Sequence, residues 1–245
     1  MATTLNASTS SSGLVASGDS SGVLALQSSG VTGLSVGASG KVSLSSTSLG
    51  TASAGTIEYD GSVPYFTPSG TQRGIIPGMQ YYQLNSANAG ANVTTAQNVF
   101  GVGATLSSST VYAFEAYYGF TKTSGSTTHN FQLLFGGTAT LNSCLYFFLR
   151  SQSTSSFTDV SATNEMGGFI QVATATTLYL NYSSAFAYST ILLKGTVSVN
   201  AGGTFIPQYI LSAAPGGAYT TAAGSYFLIY PIGASGANIN VGTWA

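Results

Sequence analysis

The sequence predicts an all-β protein: a short N-terminal β-repeat region followed by a C-terminal β-sandwich of jelly-roll type, assembling as a trimer. Three observations carry that expectation. From Val93 onward, short runs rich in apolar residues are separated by Gly, Ser, Thr and Asn clusters, which is the texture of strands and turns. No segment shows helical periodicity with capping residues. Residues 20–46 repeat a unit made of a Ser-Gly turn and about four extended residues, too small to bury a face alone.

The first region, residues 1–54, holds the repeat. SSGVLALQ (Ser20 to Gln27) is followed by SSGVTGLS (Ser28 to Ser35), and ASGKVSLSS (Ala38 to Ser46) echoes both. Strand alternation places Leu24 and Leu26, Leu34 and Val36, and Val42 and Leu44 on one face. With so few units, the missing apolar neighbours are expected from other copies of the chain around a symmetry axis. Leu24, Leu26, Leu34 and Val36 are therefore trimer-contact candidates. A flexible Ser/Gly linker is the alternative reading of the same composition.

Residues 55–92 read as a connector. Pro64, Pro68 and Pro77 interrupt regular structure, and Tyr59-Asp60-Gly61-Ser62 reads as a tight turn between two short strands. The turn-rich SANAGAN from Ser86 to Asn92 marks the expected boundary with the sandwich, residues 93–245. There, VYAFEAYYGF places Tyr112, Phe114, Ala116 and Tyr118 on one face and Val111, Ala113, Glu115 and Tyr117 on the other. The runs NFQLLFG, SCLYFFLR, GFIQVA, TTLYLNY, TILLKGTVSV, TFIPQYILSA and GSYFLIYPIG follow. That spacing of short strands argues for a sandwich, with a jelly roll as the leading topology.

Composition excludes several classes of function. Charged residues are 4% of the chain, against about 25% in ordinary globular proteins. The net charge is -1 with no basic cluster, so a nucleic-acid partner is not expected. No continuous apolar span of about 20 residues exists, so membrane insertion by a helix is not expected. A lipid-facing barrel would need export, and the opening MATTLN has neither a basic nor an apolar export region.

Material for catalysis is scarce. His129, the single histidine, reads as an exposed loop residue in SGSTTHNF, and Cys144, the single cysteine, reads as core. Glu58 and Asp60 form the one local carboxylate pair with the spacing for a cation, with a solvated turn as the competing reading. Asp19, Asp159 and Glu165 are scattered, and Glu115, in an apolar strand, is expected to meet Lys194 or Arg150 or reach solvent. Gly101-Val102-Gly103 lacks the third glycine and helix of a phosphate loop. No catalytic, cofactor or metal site is assigned.

SSGVLALQSSGVTGLSV after MATTLNAST resembles the N-terminal segments of tailed-phage fibre and virion structural proteins, in which a GxLxLQ…GxTxLxV pattern recurs. The resemblance covers about the first fifth of the chain, and Gly33 departs from it where Thr or Ala is usual. It implies a non-enzymatic virion protein made in the host cytoplasm: a homotrimeric fibre attached through its N-terminus to capsid, baseplate or tail proteins. Its outward knob would bind a host-surface glycan or receptor. Alternatives are a decoration protein at three-fold sites of the head and a glycan-degrading tailspike. Loops rich in Tyr, Asn, Ser and Gly make adaptable contact surfaces, and Thr121 to His129, Ser151 to Glu165 and Tyr182 to Tyr188 are the expected contact loops. LLKGTVSVNAGGTFIPQYI and the closing GSYFLIYPIG loosely resemble trimeric tumour-necrosis-factor and C1q-like jelly rolls. That likeness implies Tyr209, Tyr226, Leu228 and Tyr230 near a three-fold axis, ordinary sandwich core being the other reading.

Overall fold

The computed structural model describes residues 23–28, 31–122, 124–153, 165–172, 178–182 and 188–244, with side chains undescribed at 27, 28 and 152–187. Every regular element among them is a strand. The N-terminal strands are β1 (Leu24–Ser28), β2 (Val31–Val36) and β3 (Val42–Leu44); the connector holds β4 (Ile57–Tyr59), β5 (Pro64–Phe66) and β6 (Gly74–Ile75). There follow β7 (Gln80–Gln83), β8 (Asn88–Ala89), β9 (Gln97–Asn98), β10 (Ala104–Leu106), β11 (Thr110–Lys122), β12 (His129–Gly136) and β13 (Thr140–Ser153). The chain ends with β14 (Glu165–Val172), β15 (Leu178–Tyr182), β16 (Tyr188–Ala201), β17 (Gly203–Leu211), β18 (Tyr219–Thr221) and β19 (Tyr226–Ala234).

The sandwich has two antiparallel sheets. The larger runs β14-β13-β16-β11-β19-β7, with β18 and β8 continuing beside the far end of β11. The smaller joins β10 and β9 to one edge of β17, then β12 and β15. Three nested antiparallel pairs, β11 with β19, β12 with β17 and β13 with β16, alternate between the sheets, which is the wrapping of a jelly roll. Among the described residues there is no fourth nested pair: β14 extends the larger sheet beside β13 and β15 the smaller beside β12.

Alternation in the sequence sets what faces inward. On β11, Tyr112, Phe114, Ala116 and Tyr118 are buried, as their spacing predicts. Aromatic rings from both sheets interlock between them. Phe135 of β12 stacks on Phe205 of β17 at 4.4 Å and meets Phe114 of β11 at 5.4 Å and Tyr146 of β13 at 5.6 Å edge-on. Offset and edge-to-face arrangements of this kind are the favoured ones for aromatic pairs. Gly195 of β16 lies opposite Tyr146, and a Cβ there would collide with the Leu145 carbonyl and the Tyr146 side chain.

The hairpin expected in the connector forms. β4 and β5 pair through the turn at residues 60–63, where Gly61 takes a φ of 98° and the Asp60 carboxylate accepts from the Ser62 and Val63 amides at 2.8 and 2.7 Å. One boundary shifts. β7 and β8 lie before residue 93, yet they pair with β19 and β18 in the larger sheet, and Leu84 joins the core. The sandwich therefore takes in the chain from Gln80, because the tyrosines of QYYQ supply an edge strand that its short, polar neighbours disguise.

Candidate functional site: the uncovered apolar faces

The N-terminal strands form a sheet of their own whose register lines up the repeat. Leu24 lies opposite Val36 and Val36 opposite Val42, while Leu26 lies opposite Leu34 and Leu34 opposite Leu44. Cross-strand neighbours share a face, so the six aliphatics form two rows on one side. Ala25, Ser35 and Ser43 occupy the other side. Leu24, Leu26 and Val42 are 52%, 48% and 64% exposed, and Leu34, Val36 and Leu44 are half-buried. Residues 1–22, with the expected particle-attachment end, lie outside the described residues.

A second such face is the outside of the larger sheet. Leu228, Glu115, Lys194 and Phe147 form one cross-strand row, and Tyr226, Tyr117, Leu192 and Leu149 form the next. Tyr81 stacks on Tyr226 at 5.6 Å and Tyr226 on Tyr117 at 6.4 Å. Tyr81, Tyr117, Phe147 and Leu149 are each at least 40% exposed. The charges on this face answer one another: Glu115 Oε2 is 3.7 Å from Lys194 Nζ, and Tyr226 donates its hydroxyl to Glu115 Oε1 at 3.1 Å. Arg150, the other expected partner of Glu115, is instead wholly buried on the inward side of β13.

Of the four residues expected near a three-fold axis, Tyr226, Leu228 and Tyr230 lie on this outer face, partly exposed. Tyr209 does not. It is 1% exposed and stacks on Phe131 at 5.1 Å between the sheets, so no neighbouring subunit can reach it. Its parity with Phe205 and Leu211 along β17 is the signal that would have placed it inside. Of the expected contact loops, residues 154–164 and 183–187 and Thr123 lie outside the described residues.

The residues weighed for chemistry are occupied structurally. His129 is buried, a correction to its expected exposure; it is in phase with Phe131, Leu133 and Phe135 on β12. Its Nδ1 donates to the Thr127 carbonyl and its Nε2 accepts from the Tyr219 hydroxyl, both at 2.8 Å. Burial holds its pKa below the ordinary 6.5, against the opposing Thr127 hydrogen bond and assisted by nearby Lys122. Cys144 is core as expected, its thiol pushed up to about 12 by burial. Glu58 is gripped by Arg73, whose Nη2 approaches Oε2 at 2.6 Å and donates to the Gly50 carbonyl at 2.7 Å. Burial raises the Asp60 carboxyl, but the Val63 and Ser62 amides and the Tyr65 hydroxyl outweigh it and hold the group low. Each carboxylate thus has its own structural duty. Among the described residues no three His, Cys, Asp or Glu side chains cluster as metal ligands, and no helix is long and apolar enough to cross a membrane.

No family model matches the sequence, and no curated protein does. Two solved structures align over 81% of this chain. One is infectious bursal disease virus, Gx strain, at 9% identity, TM-score 0.18 and 49% coverage of its chain. The other is the VP2 subviral particle of infectious bursal disease virus, at 11% identity, TM-score 0.14 and 52% coverage. The chain spans about half the length of these neighbours, and at such TM-scores the likeness carries no argument about function.

Proposed function

We propose that this chain is a non-enzymatic structural protein of a tailed-phage particle, a homotrimeric fibre held at its N-terminal end and presenting the sandwich outward to bind the host surface. One observation carries the reading: the register of β1–β3 aligns six aliphatics on one side of a sheet too small to cover them. An exposed apolar stripe of that regularity is what a self-association surface requires, and three copies around an axis close it without leaving an edge. The N-terminal resemblance to phage fibre segments supplies the viral part. The engagement of Glu58, Asp60 and Glu115 in structural contacts supports binding over glycan hydrolysis, which needs two carboxylates across a cleft.

Electron microscopy of particles labelled with antibody against the purified chain tests the placement. Label at tail or baseplate appendages is the expected result. Label at three-fold positions of the head would replace the fibre by a decoration protein, and absence from particles would refute both.

A further inference from the structure

Between the edge of β7 and the segment joining β9 to β10 lies a cleft of about 180 Å³ that no part of the reading above uses. Its origin lies in the backbone of β17. Val99 donates its amide to the Pro207 carbonyl at 2.9 Å, the last bond of the β9 side of β17. Pro207 has no amide hydrogen to continue that ladder, and the chain leaves the sheet at Phe100, rejoining β17 where Ala104 pairs with Phe205. The excursion supplies one wall of the cleft through Phe100, Val102 and Gly103. Phe100, Pro207, Phe227 and Ile229 line the interior, and Tyr82 and Val102, 44% and 45% exposed, stand at the mouth.

Size and chemistry define the ligand. The cleft exceeds the roughly 150 Å³ of an apolar cavity that holds benzene and falls below the roughly 300 Å³ of drug-sized pockets, so it takes one six-membered ring. No lining residue is charged. The mouth is nevertheless polar. Leu84 donates to Ser225 opposite it, and antiparallel alternation then turns the Tyr82 backbone toward β19 and the Tyr81 amide and carbonyl toward the open edge. One donor and one acceptor beside the Gln80 amide and the Tyr82 hydroxyl suit a ring bearing hydroxyls. An added peptide strand is disfavoured because the Tyr82 and Phe100 rings meet at 5.7 Å and Gln80 Nε2 reaches the Thr105 carbonyl at 3.4 Å across that edge.

We infer that this cleft binds a terminal, uncharged pyranose ring of a host-surface glycan, with the chain leaving it over the stacked Tyr81, Tyr226 and Tyr117. The inference rests on the outward knob being the host-binding end. Saturation-transfer NMR on the full chain, with the methyl glycosides of glucose, galactose and mannose and with maltotriose as probes, tests it. Millimolar binding is expected for at least one neutral glycoside, with the acidic methyl glucuronide weaker. Tyr82→Ala and Val102→Trp should each weaken it at least tenfold at unchanged Tm and mass. Tyr117→Ala should weaken the trisaccharide and spare the monosaccharide. The inference is overturned if no neutral probe binds, if Tyr82→Ala and Val102→Trp bind as the parent does, or if Val102→Trp alters the oligomeric mass, which would make the cleft a subunit contact. Glycoside binding by a chain absent from particles would uphold the cleft and remove the fibre.

Discussion

Replacing Leu26 by Asp tests the N-terminal sheet directly. A fully buried aliphatic contributes about 1.5–3 kcal/mol. Leu24, Leu26 and Val42 are 52%, 48% and 64% exposed, so covering them yields about 1 kcal/mol each, or about 9 kcal/mol over three subunits. Association costs about 4–15 kcal/mol in lost freedom for each of the two binding steps that make a trimer, so this face offsets the cost only at its lower end and leaves nothing to spare. An Asp at position 26 removes about 1 kcal/mol of that gain per subunit and adds several for desolvating an unpaired carboxylate, multiplied by three around the axis. The variant should run at 24.8 kDa by light scattering, against three times that mass for the parent chain. Ser43→Asp places the same charge on the opposite side of the same sheet, where Ser43 is exposed, and should leave the trimer intact. A monomeric parent chain, or identical behaviour of the two variants, would refute the reasoning.

Three further outcomes follow from the sandwich. The folded pKa of His129 lies below 6.5, so the folded state binds fewer protons than the unfolded one. Its contribution is complete above pH 6.5 and is lost as pH falls toward the folded value, at up to about 1.4 kcal/mol per unit. Urea midpoints between pH about 7.5 and about 5.5 should decline accordingly, and less so for His129→Gln. Phe135→Ala removes the ring that joins β11, β13 and β17 and should cost about 3–5 kcal/mol in chemical denaturation, whereas a cost below 1 would mean the core closes over the gap. The hydroxyl of Tyr118 is buried with no hydrogen-bond partner among the described residues. Tyr118→Phe should therefore raise stability by about 1 kcal/mol, read as a Tm higher by about 2–4 °C; a lower Tm would show that the hydroxyl is satisfied.

The strands of the sandwich were legible wherever apolar residues keep a period of two, as at Tyr112, Phe114, Ala116 and Tyr118. The same rule applied to polar or aromatic exceptions would have gone further. His129 stands two residues before Phe131, and Tyr209 midway between Pro207 and Leu211, so parity alone places both inside. Other signals misled instead: the polarity of histidine suggested a loop, and the likeness to trimeric jelly rolls put Tyr209 near an axis, although ordinary core was its other reading. The edge strand at Gln80–Gln83 was hidden for another reason: its partner β19 lies some 140 residues later, and four residues carry too little pattern to announce so distant a pairing. The cleft was wholly illegible, since it arises from the meeting of Pro207 with a segment that no local signal connects to it.

The scarcity of charge ties these surfaces together. The sequence has five basic and six acidic residues, and Arg73, Glu58, Lys194 and Glu115 among them face partners within 4 Å. Neither the N-terminal face nor the edge cleft carries a charge. Electrostatic steering, which speeds encounters and responds steeply to salt, therefore has no purchase on either. Assembly and glycan binding should both rest on apolar contact and neutral hydrogen bonds, and these are little screened by ions. Trimer mass and glycoside affinity measured across low and high sodium chloride should accordingly stay constant or strengthen slightly. A tenfold weakening of either at high salt would mean that ionic contacts from residues outside these two surfaces hold it together.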